Sequence, residues 1–383
     1  MGLTSWGTFG LLALAAVGCM AAVVALWPKA AAKRRRAVAA RAAMLAGSQL
    51  VVLLALVTAL NAHYLFYGSW TDLVSAAGGG VGPPGGPAVN ANAAAAGGGS
   101  RIVVRTARPD LSPGPGGKHA PAKDGQVERV VVQGVRTGLS AEEYVYLPPQ
   151  YFQAAYATRR FPVVLFLAGY PAADRLVWIR RGHIPEDVLQ AQTAHRIQPM
   201  IYVMARPTVV AGWDTECADV PGGPQVETFF AQDVPEAVAA TYRTARGRSG
   251  WGVAGYSTGG FCAAKLAMLH SDRFSAGVSM AGHFHALLDT TTRDLYGGSP
   301  ALRRNSNLIW RVRNLPPPPV SLLVASADVG EKTFPSARMF MRAARPPLMV
   351  DELLLPSGGH NFKTFRKYIP PSIRWLSARL RGE

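Results

Sequence analysis

The chain has 383 residues, 49% of them hydrophobic and 16% charged, with 40 Lys and Arg against 23 Asp and Glu, a net charge of +17. So low a charged fraction argues against a wholly soluble protein. A pI near 10.2 without zinc-ligand spacing, a recognition helix or a single-strand-binding pattern argues against nucleic acid as partner; attraction to an anionic membrane or cell-wall surface is the more economical reading.

Residues 8–27 carry no charge and match the roughly 20 residues a helix needs to cross a bilayer. A second apolar segment, 44–66, lies in the charge-free stretch between Arg41 and Asp72 and ends near Tyr64, Phe66, Tyr67 and Trp70, aromatics suited to a membrane interface. Two transmembrane helices are expected; buried core helices are the alternative, less suited to stretches so long and uncharged. Lys29, Lys33, Arg34, Arg35, Arg36 and Arg41 lie between them, a basic loop that the positive-inside rule assigns to the cytoplasm. A cleavable signal peptide fits less well, because no Lys or Arg precedes the first apolar run. Residues 1–75 thus read as a membrane anchor with both ends outside.

Residues 76–125 are dominated by Gly, Ala, Pro and Asn. Such a composition buries little apolar surface and reads as a flexible tether, with a short strand expected at 101–105. From 126 to 383 strands alternate with helices. Strands are expected at 127–135, 143–147, 163–167, 199–205, 251–256, 276–280, 320–325 and 348–355, and helices at 185–195, 226–246, 258–270, 334–344 and 373–380. That alternation predicts one α/β domain with a mainly parallel sheet.

Gly255-Tyr256-Ser257-Thr258-Gly259 ends the apolar run that begins at Trp251, and an Ala-rich helical run follows. This is the strand–turn–helix context of a nucleophile elbow. A G-x-S-x-G is expected by chance roughly 0.2 times in a chain this rich in glycine, so its neighbours must carry the argument. In an open parallel sheet, functional residues gather beyond the C-terminal strand ends. Asp328 follows the expected strand 320–325 and His360 follows 348–355, and the chain order Ser, Asp, His is that of α/β-hydrolases. Ser257 would be the nucleophile, His360 its base and Asp328 the group that orients the imidazole. Asp328 is favoured over Glu331 because it stands nearer the strand end. The backbone N–H groups of Thr258 and Tyr170 are the expected oxyanion donors, with Gly169 allowing close approach to the substrate.

His283 and His285 also follow a strand but precede the acid in the chain. A His-x-His metal pair there lacks a third spaced ligand, so the two are expected to line the cleft or satisfy backbone groups. Asp214, Glu216 and Asp219 show no calcium-loop spacing and read as solvated loop carboxylates. The three cysteines are Cys19, Cys217 and Cys262, with no C-x-x-C. Cys19 lies in an apolar run. Outside the membrane a disulfide between Cys217 and Cys262 would pin the loop 211–224 beside the site; two buried free thiols are the alternative.

The segments Tyr144-Val145-Tyr146-Leu147-Pro148-Pro149-Gln150-Tyr151, Phe161 to Tyr170, Gly255 to Gly260 and Gly358-Gly359-His360 resemble the esterase family that includes esterase D, feruloyl esterases and the secreted mycolyltransferases of the actinobacterial envelope. The resemblance runs from about residue 126 to the C-terminus. It implies an α/β-hydrolase fold, Ser257, Asp328 and His360 as triad, and no cofactor. Many relatives carry His-Gly where this chain has Ala168-Gly169, and in some the acid is glutamate. The expected function is therefore a membrane-anchored extracytoplasmic serine esterase or acyltransferase acting on an ester or acyl donor, with an envelope lipid or glycan as substrate class. Arginines within 291–319 would either cover the cleft and favour anionic or sugar-bearing substrates or form a solvated surface. The alternative is a non-catalytic glycan- or partner-binding envelope protein on the same fold.

Overall fold

The computed structural model describes residues 6–30, 34–64, 99–114, 119–172 and 174–383. The chain divides into two compact units, residues 1–82 and 83–383. Residues 76–98 and 115–118 of the expected tether lie outside the described residues, as do Phe66, Tyr67 and Trp70.

The first unit is a pair of helices, α1 (Trp6–Leu26) and α2 (Arg35–Tyr64), packed on one another and joined through a short turn at Pro28–Ala30. Neither has a polar stripe that would let it sit half-buried in a soluble fold. Leu14, Val17, Leu50, Leu53 and Val57 are exposed. Among the described residues one stretch, Arg35–Ala59, with mean hydropathy 2.1, is long and apolar enough to cross a membrane, while Gly10–Leu26 is apolar but shorter. The second helix starts earlier than the apolar segment 44–66. Arg35, Arg36 and Arg41 therefore lie on α2 rather than in a loop, and the Arg41 guanidinium sits over the Trp27 ring at 5.7 Å.

The second unit is built on a sheet of nine strands among the described residues, in the order β1-β2-β3-β5-β4-β6-β7-β8-β9. The strands are β1 (Arg101–Ala107), β2 (Gln126–Gln133), β3 (Ser140–Leu147), β4 (Val163–Leu167), β5 (Ile201–Ala205), β6 (Trp251–Tyr256), β7 (Ala276–Met280), β8 (Ser321–Val329) and β9 (Met349–Ser357). Pairing is antiparallel from β1 to β5 and parallel from β5 through β4, β6, β7 and β8 to β9. The ordered unit begins before residue 126. Strand β1 pairs along β2, and the Ser100 hydroxyl donates to Asp233 at 2.7 Å. The short strand expected at 101–105 is thus an edge strand of the sheet, two residues longer than expected.

Parallel strands are covered on both faces, so their side chains alternate between two apolar cores. Val163, Leu165, Leu167 and Val253 face one core, shared with α5 (Thr258–Leu269), α4 (Val234–Thr241), α7 (Leu308–Asn314) and α8 (Phe334–Ala343). Val164, Phe166, Ala254 and Tyr256 face the other, shared with α3 (Ile184–Thr193) and α9 (Phe362–Arg379). Helix α6 spans Pro300–Asn305.

Two helices depart from their expected bounds. The helix expected at 226–246 is broken into Val226–Thr228, a π-turn at Phe229–Asp233 and α4. Asp233, in that π-turn, accepts hydrogen bonds from Ser100, Thr137 and Arg136 of the β1–β3 edge. Helix α9 starts at Phe362 rather than 373 and runs through Pro370 and Pro371. Its buried face, Phe362, Phe365, Tyr368, Ile369, Ile373 and Leu376, keeps helical spacing across the prolines.

Glu143 on β3 is fully buried, and neither carboxyl oxygen has a hydrogen-bond partner among the described residues. Burial pushes its pKa up to about 8. The folded state therefore favours the protonated form, and stability is fully present below the unfolded-state value and lost as pH rises towards 8. Glu143→Gln should flatten that slope. Thermal unfolding at pH 8 should find the variant more stable than wild type by on the order of a few kcal/mol, with the gap closing near pH 4.

Candidate active site

Strand β6 ends at Tyr256 and α5 begins at Thr258, leaving Ser257 alone between them at φ 55° and ψ −125°. A side chain rarely adopts such a backbone unless its surroundings enforce it. Here they do. The Ser257 N–H donates to the Met280 carbonyl at 3.0 Å, and the neighbouring glycines let three backbones converge. A Cβ on Gly255 would lie 2.2 Å from the Gly259 carbonyl oxygen, and one on Gly259 would lie 2.0 Å from the Leu167 oxygen. A Cβ on Gly169, after β4, would lie 2.9 Å from the Ser257 Cβ.

His360 stands beyond the end of β9, one residue before the α9 N-cap Asn361, whose side chain accepts from the Thr364 N–H. Its Nε2 lies 2.8 Å from Ser257 Oγ and its Nδ1 2.7 Å from Glu331 Oε1. The imidazole edge also meets the Phe365 ring at 5.1 Å. The Glu331 side chain is wholly buried, and its Oε1 also accepts from the Thr333 N–H and hydroxyl at 3.1 and 3.0 Å. Burial alone would raise the Glu331 pKa, but the hydrogen bonds from His360 and Thr333 outweigh it and hold the carboxyl below its ordinary range. An ionised Glu331 accepts from Nδ1–H, which leaves the Nε2 lone pair to accept the serine hydroxyl proton. Such a relay can turn a hydroxyl into a nucleophile.

Asp328 is not part of this relay. Strand β8 does not end at 325; it pairs with β9 as far as Val329 opposite Ser357. Asp328 consequently sits on the strand, exposed, next to the buried Ala327. The turn comes only at Gly330, with φ 90°, and carries Glu331 back under His360. The strand runs past the expected end at 325, and the carboxylate that meets His360 is Glu331 rather than Asp328.

Thr258 opens α5, where a backbone N–H has no intrahelical acceptor, and Tyr170 follows Gly169 in the loop after β4. Burial raises the Tyr170 phenol pKa, aided by the charges of Asp214 and Asp289 and opposed by Arg293. These residues therefore share one neighbourhood beside the elbow.

Cys217 and Cys262 are joined in a disulfide, which fastens the loop 211–224 to α5. The acids of that loop are not solvated as a group. Asp214 is buried and accepts from the Thr258 hydroxyl at 3.2 Å, and Glu216 is buried 3.0 Å from His283 Nε2. Asp219 accepts from the Thr228 N–H and hydroxyl. His283 thus pairs with a carboxylate rather than with backbone, and its ring stacks on Phe261 at 4.9 Å. Nothing in the spacing of His283 announced Glu216, because the disulfide supplies the proximity.

The "Putative esterase" family model matches residues 136–319, which include the elbow and the loops after β4 and β7. That segment, just under half of the chain, is similar to the esterase family of α/β-hydrolases. An uncharacterised protein of Corynebacterium glutamicum is 21% identical over 264 residues, 63% of this chain and 58% of the relative's own length. A ferulic acid esterase structure aligns with TM-score 0.55 and 20% identity, covering 67% of this chain and 99% of that one. An S-formylglutathione hydrolase from Agrobacterium tumefaciens aligns with TM-score 0.56 and 15% identity, covering 73% and 100%. At these identities the structural likenesses establish the fold alone, α/β-hydrolase-like with a mainly parallel sheet.

The relay distinguishes the two candidate acids. Glu331→Gln should lower kcat for ester cleavage by about 10²- to 10⁴-fold, as expected when the imidazole loses its orienting carboxylate. Asp328→Asn should stay within about twofold of wild type. Steady-state hydrolysis of a p-nitrophenyl ester measures both.

Proposed function

We propose that this chain is a membrane-anchored serine esterase or acyltransferase whose catalytic unit works outside the cytoplasm. The observation that carries the reading is the Ser257–His360–Glu331 relay set on a strained strand-to-helix turn. As Ser257 Oγ attacks the acyl carbon, its proton passes to His360 Nε2 and the imidazolium is stabilised by Glu331. The Thr258 and Tyr170 N–H groups would receive the negative charge that develops on the acyl oxygen. Collapse expels the alcohol, which takes the proton from His360 and leaves an acyl-enzyme. Water or a sugar hydroxyl then gives its proton to His360 and attacks the acyl carbon, and Ser257 recovers the proton as the product ester or acid departs.

Two observations support the location. The helix pair leaves its apolar side chains uncovered, with Lys29 in the turn and Arg35, Arg36 and Arg41 in the first turns of α2, and positive charge next to spanning helices favours the cytoplasmic side. The disulfide Cys217–Cys262 suits an oxidising compartment. The substrate class that fits an anchored enzyme of this kind is an ester of the cell envelope, lipid or glycan. An intact relay, with its acid buried and hydrogen-bonded, speaks against a purely binding role.

A fluorophosphonate probe applied to the full-length chain in detergent should label wild type, and Ser257→Ala should abolish the label. A folded wild type that takes up no probe would sink the reading. For sidedness, Val135→Cys places a thiol at an exposed position. A membrane-impermeant maleimide added to intact cells should modify it, and protection until the cells are lysed would put the catalytic unit inside.

A further inference from the structure

Two residues of the loop 211–224 have left-handed backbones without being glycine: Glu216 at φ 47° and Cys217 at φ 46°. Such conformations persist where surrounding structure over-determines them. Four contacts do so here. Cys217 is bonded to Cys262 of α5, and its carbonyl accepts from Lys265 Nζ at 2.7 Å. Glu216 meets His283, and the Trp213 indole N–H donates to the Thr292 carbonyl at 2.9 Å. Lys265 is itself almost wholly buried and paired with Glu227 at 2.8 Å. The consequence of this clamping falls on Asp214. Its Oδ1 accepts from the Glu216 N–H at 3.2 Å, its Oδ2 from the Thr258 hydroxyl at 3.2 Å, and its own N–H donates to the Thr291 carbonyl at 3.1 Å. A buried carboxyl is thereby held on the residue that follows Ser257.

We propose that Asp214 is a positioning residue of the elbow: through the Thr258 hydroxyl it fixes the first peptide of α5, and the Cys217–Cys262 cross-link keeps it there. The inference rests on the reading of Ser257 as nucleophile and Thr258 as an oxyanion donor. Asp214 need make no contact with substrate to act in this way. An oxyanion donor displaced by a fraction of an ångström loses much of its effect on the transition state while leaving substrate binding largely intact.

The contact also has two polarities. When Asp214 is ionised, Thr258 donates to it; when Asp214 is protonated, the carboxyl can donate and the Thr258 hydroxyl accept. Burial, then the charge of Glu216, push the Asp214 pKa up to about 7, against the hydrogen bonds from the Glu216 N–H and Thr258 and the influence of His283. The charged or titratable groups around it are Glu216 on its own loop, His283 after β7, Tyr170 after β4, and Asp289 and Arg293 of the turn that also supplies Thr291. Ionisation of Asp214 adds a negative charge beside the place where the acyl oxygen becomes negative, so kcat should fall as pH rises through 7.

The test compares wild type, Asp214→Asn, Asp214→Ala and the Cys217→Ala/Cys262→Ala pair in the full-length chain, reading kcat and KM for a p-nitrophenyl ester from pH 5.5 to 8.5. Asp214→Asn, which preserves the hydrogen bond without the charge, should lose the decline near pH 7. Asp214→Ala and the cysteine pair should lower kcat about tenfold with KM within about twofold. A wild type that neither reacts with fluorophosphonate nor cleaves ester overturns the nucleophile reading and this one with it. An active wild type whose decline near pH 7 survives in Asp214→Asn overturns the positioning role alone, as does an Asp214→Ala enzyme with unchanged kcat. Should Asp214→Ala fail to fold, the Asp214→Asn profile decides.

Discussion

The architecture depends on one backbone conformation, the turn at Ser257. Its positive φ is held by the packing of β4, β6 and α5 at distances where no Cβ fits, so glycine at 255 and 259 is a steric requirement. The close approach brings the end of β4 and the start of α5 together, and the Met280 carbonyl fastens the same turn to β7. Once β4, β6 and β7 are fixed in this way, parallel pairing aligns the ends of β8 and β9 with them, and the loops that carry Glu331 and His360 emerge on the same side.

The parts of this arrangement that were legible in the sequence are those governed by local burial. Strand β4 announces itself as an unbroken apolar run and β6 as a buried run that ends at the elbow, and Ser257 and His360 each follow an expected strand. Glu331 rather than Asp328 meets His360 because the end of β8 is set by its partner: pairing with β9 carries the strand past Ala325 to Val329, and no local feature of Ser326-Ala327-Asp328 shows this. Strand β1 shows as a short apolar stretch after the Gly-rich segment, while its place at the sheet edge is set by β2. Pro370 and Pro371 suggested that α9 began at 373, yet an apolar face of the right period continues on both sides of them. Asp214 and Glu216 read as loop carboxylates because their burial depends on a cross-link to a helix 45 residues further along the chain.

Charge is distributed unequally between surface and interior. The chain carries a net charge of +17, yet the buried ionisable groups of the second unit are mostly acids, among them Glu128, Glu143, Asp174, Asp214, Glu216, Asp233 and Glu331, with Lys265 a buried cation. Most of these acids accept hydrogen bonds that stitch neighbouring segments together, as Glu128 does for Arg105 and Tyr242 and Asp233 for the β1–β3 edge. The arginines stay at the periphery with their long stems along the surface. The outer field is consequently more positive than the composition of the interior would suggest, which suits work beside an anionic surface.

Helix α9 links the two ends of the sheet. At its start stands His360, against Ser257. Past its end, the Arg381 N–H donates to the Ser249 carbonyl at 2.9 Å, two residues before β6 begins, and Glu383 exchanges backbone hydrogen bonds with Arg160. Strand β6 and helix α9 therefore run as two struts between the same pair of anchor points, one ending in the serine and the other starting at the histidine. The gap between Oγ and Nε2 is a difference between two rigid lengths, gauged at the far end of the molecule. Loosening the clasp around Ser249 would reach the active site without touching any residue in it.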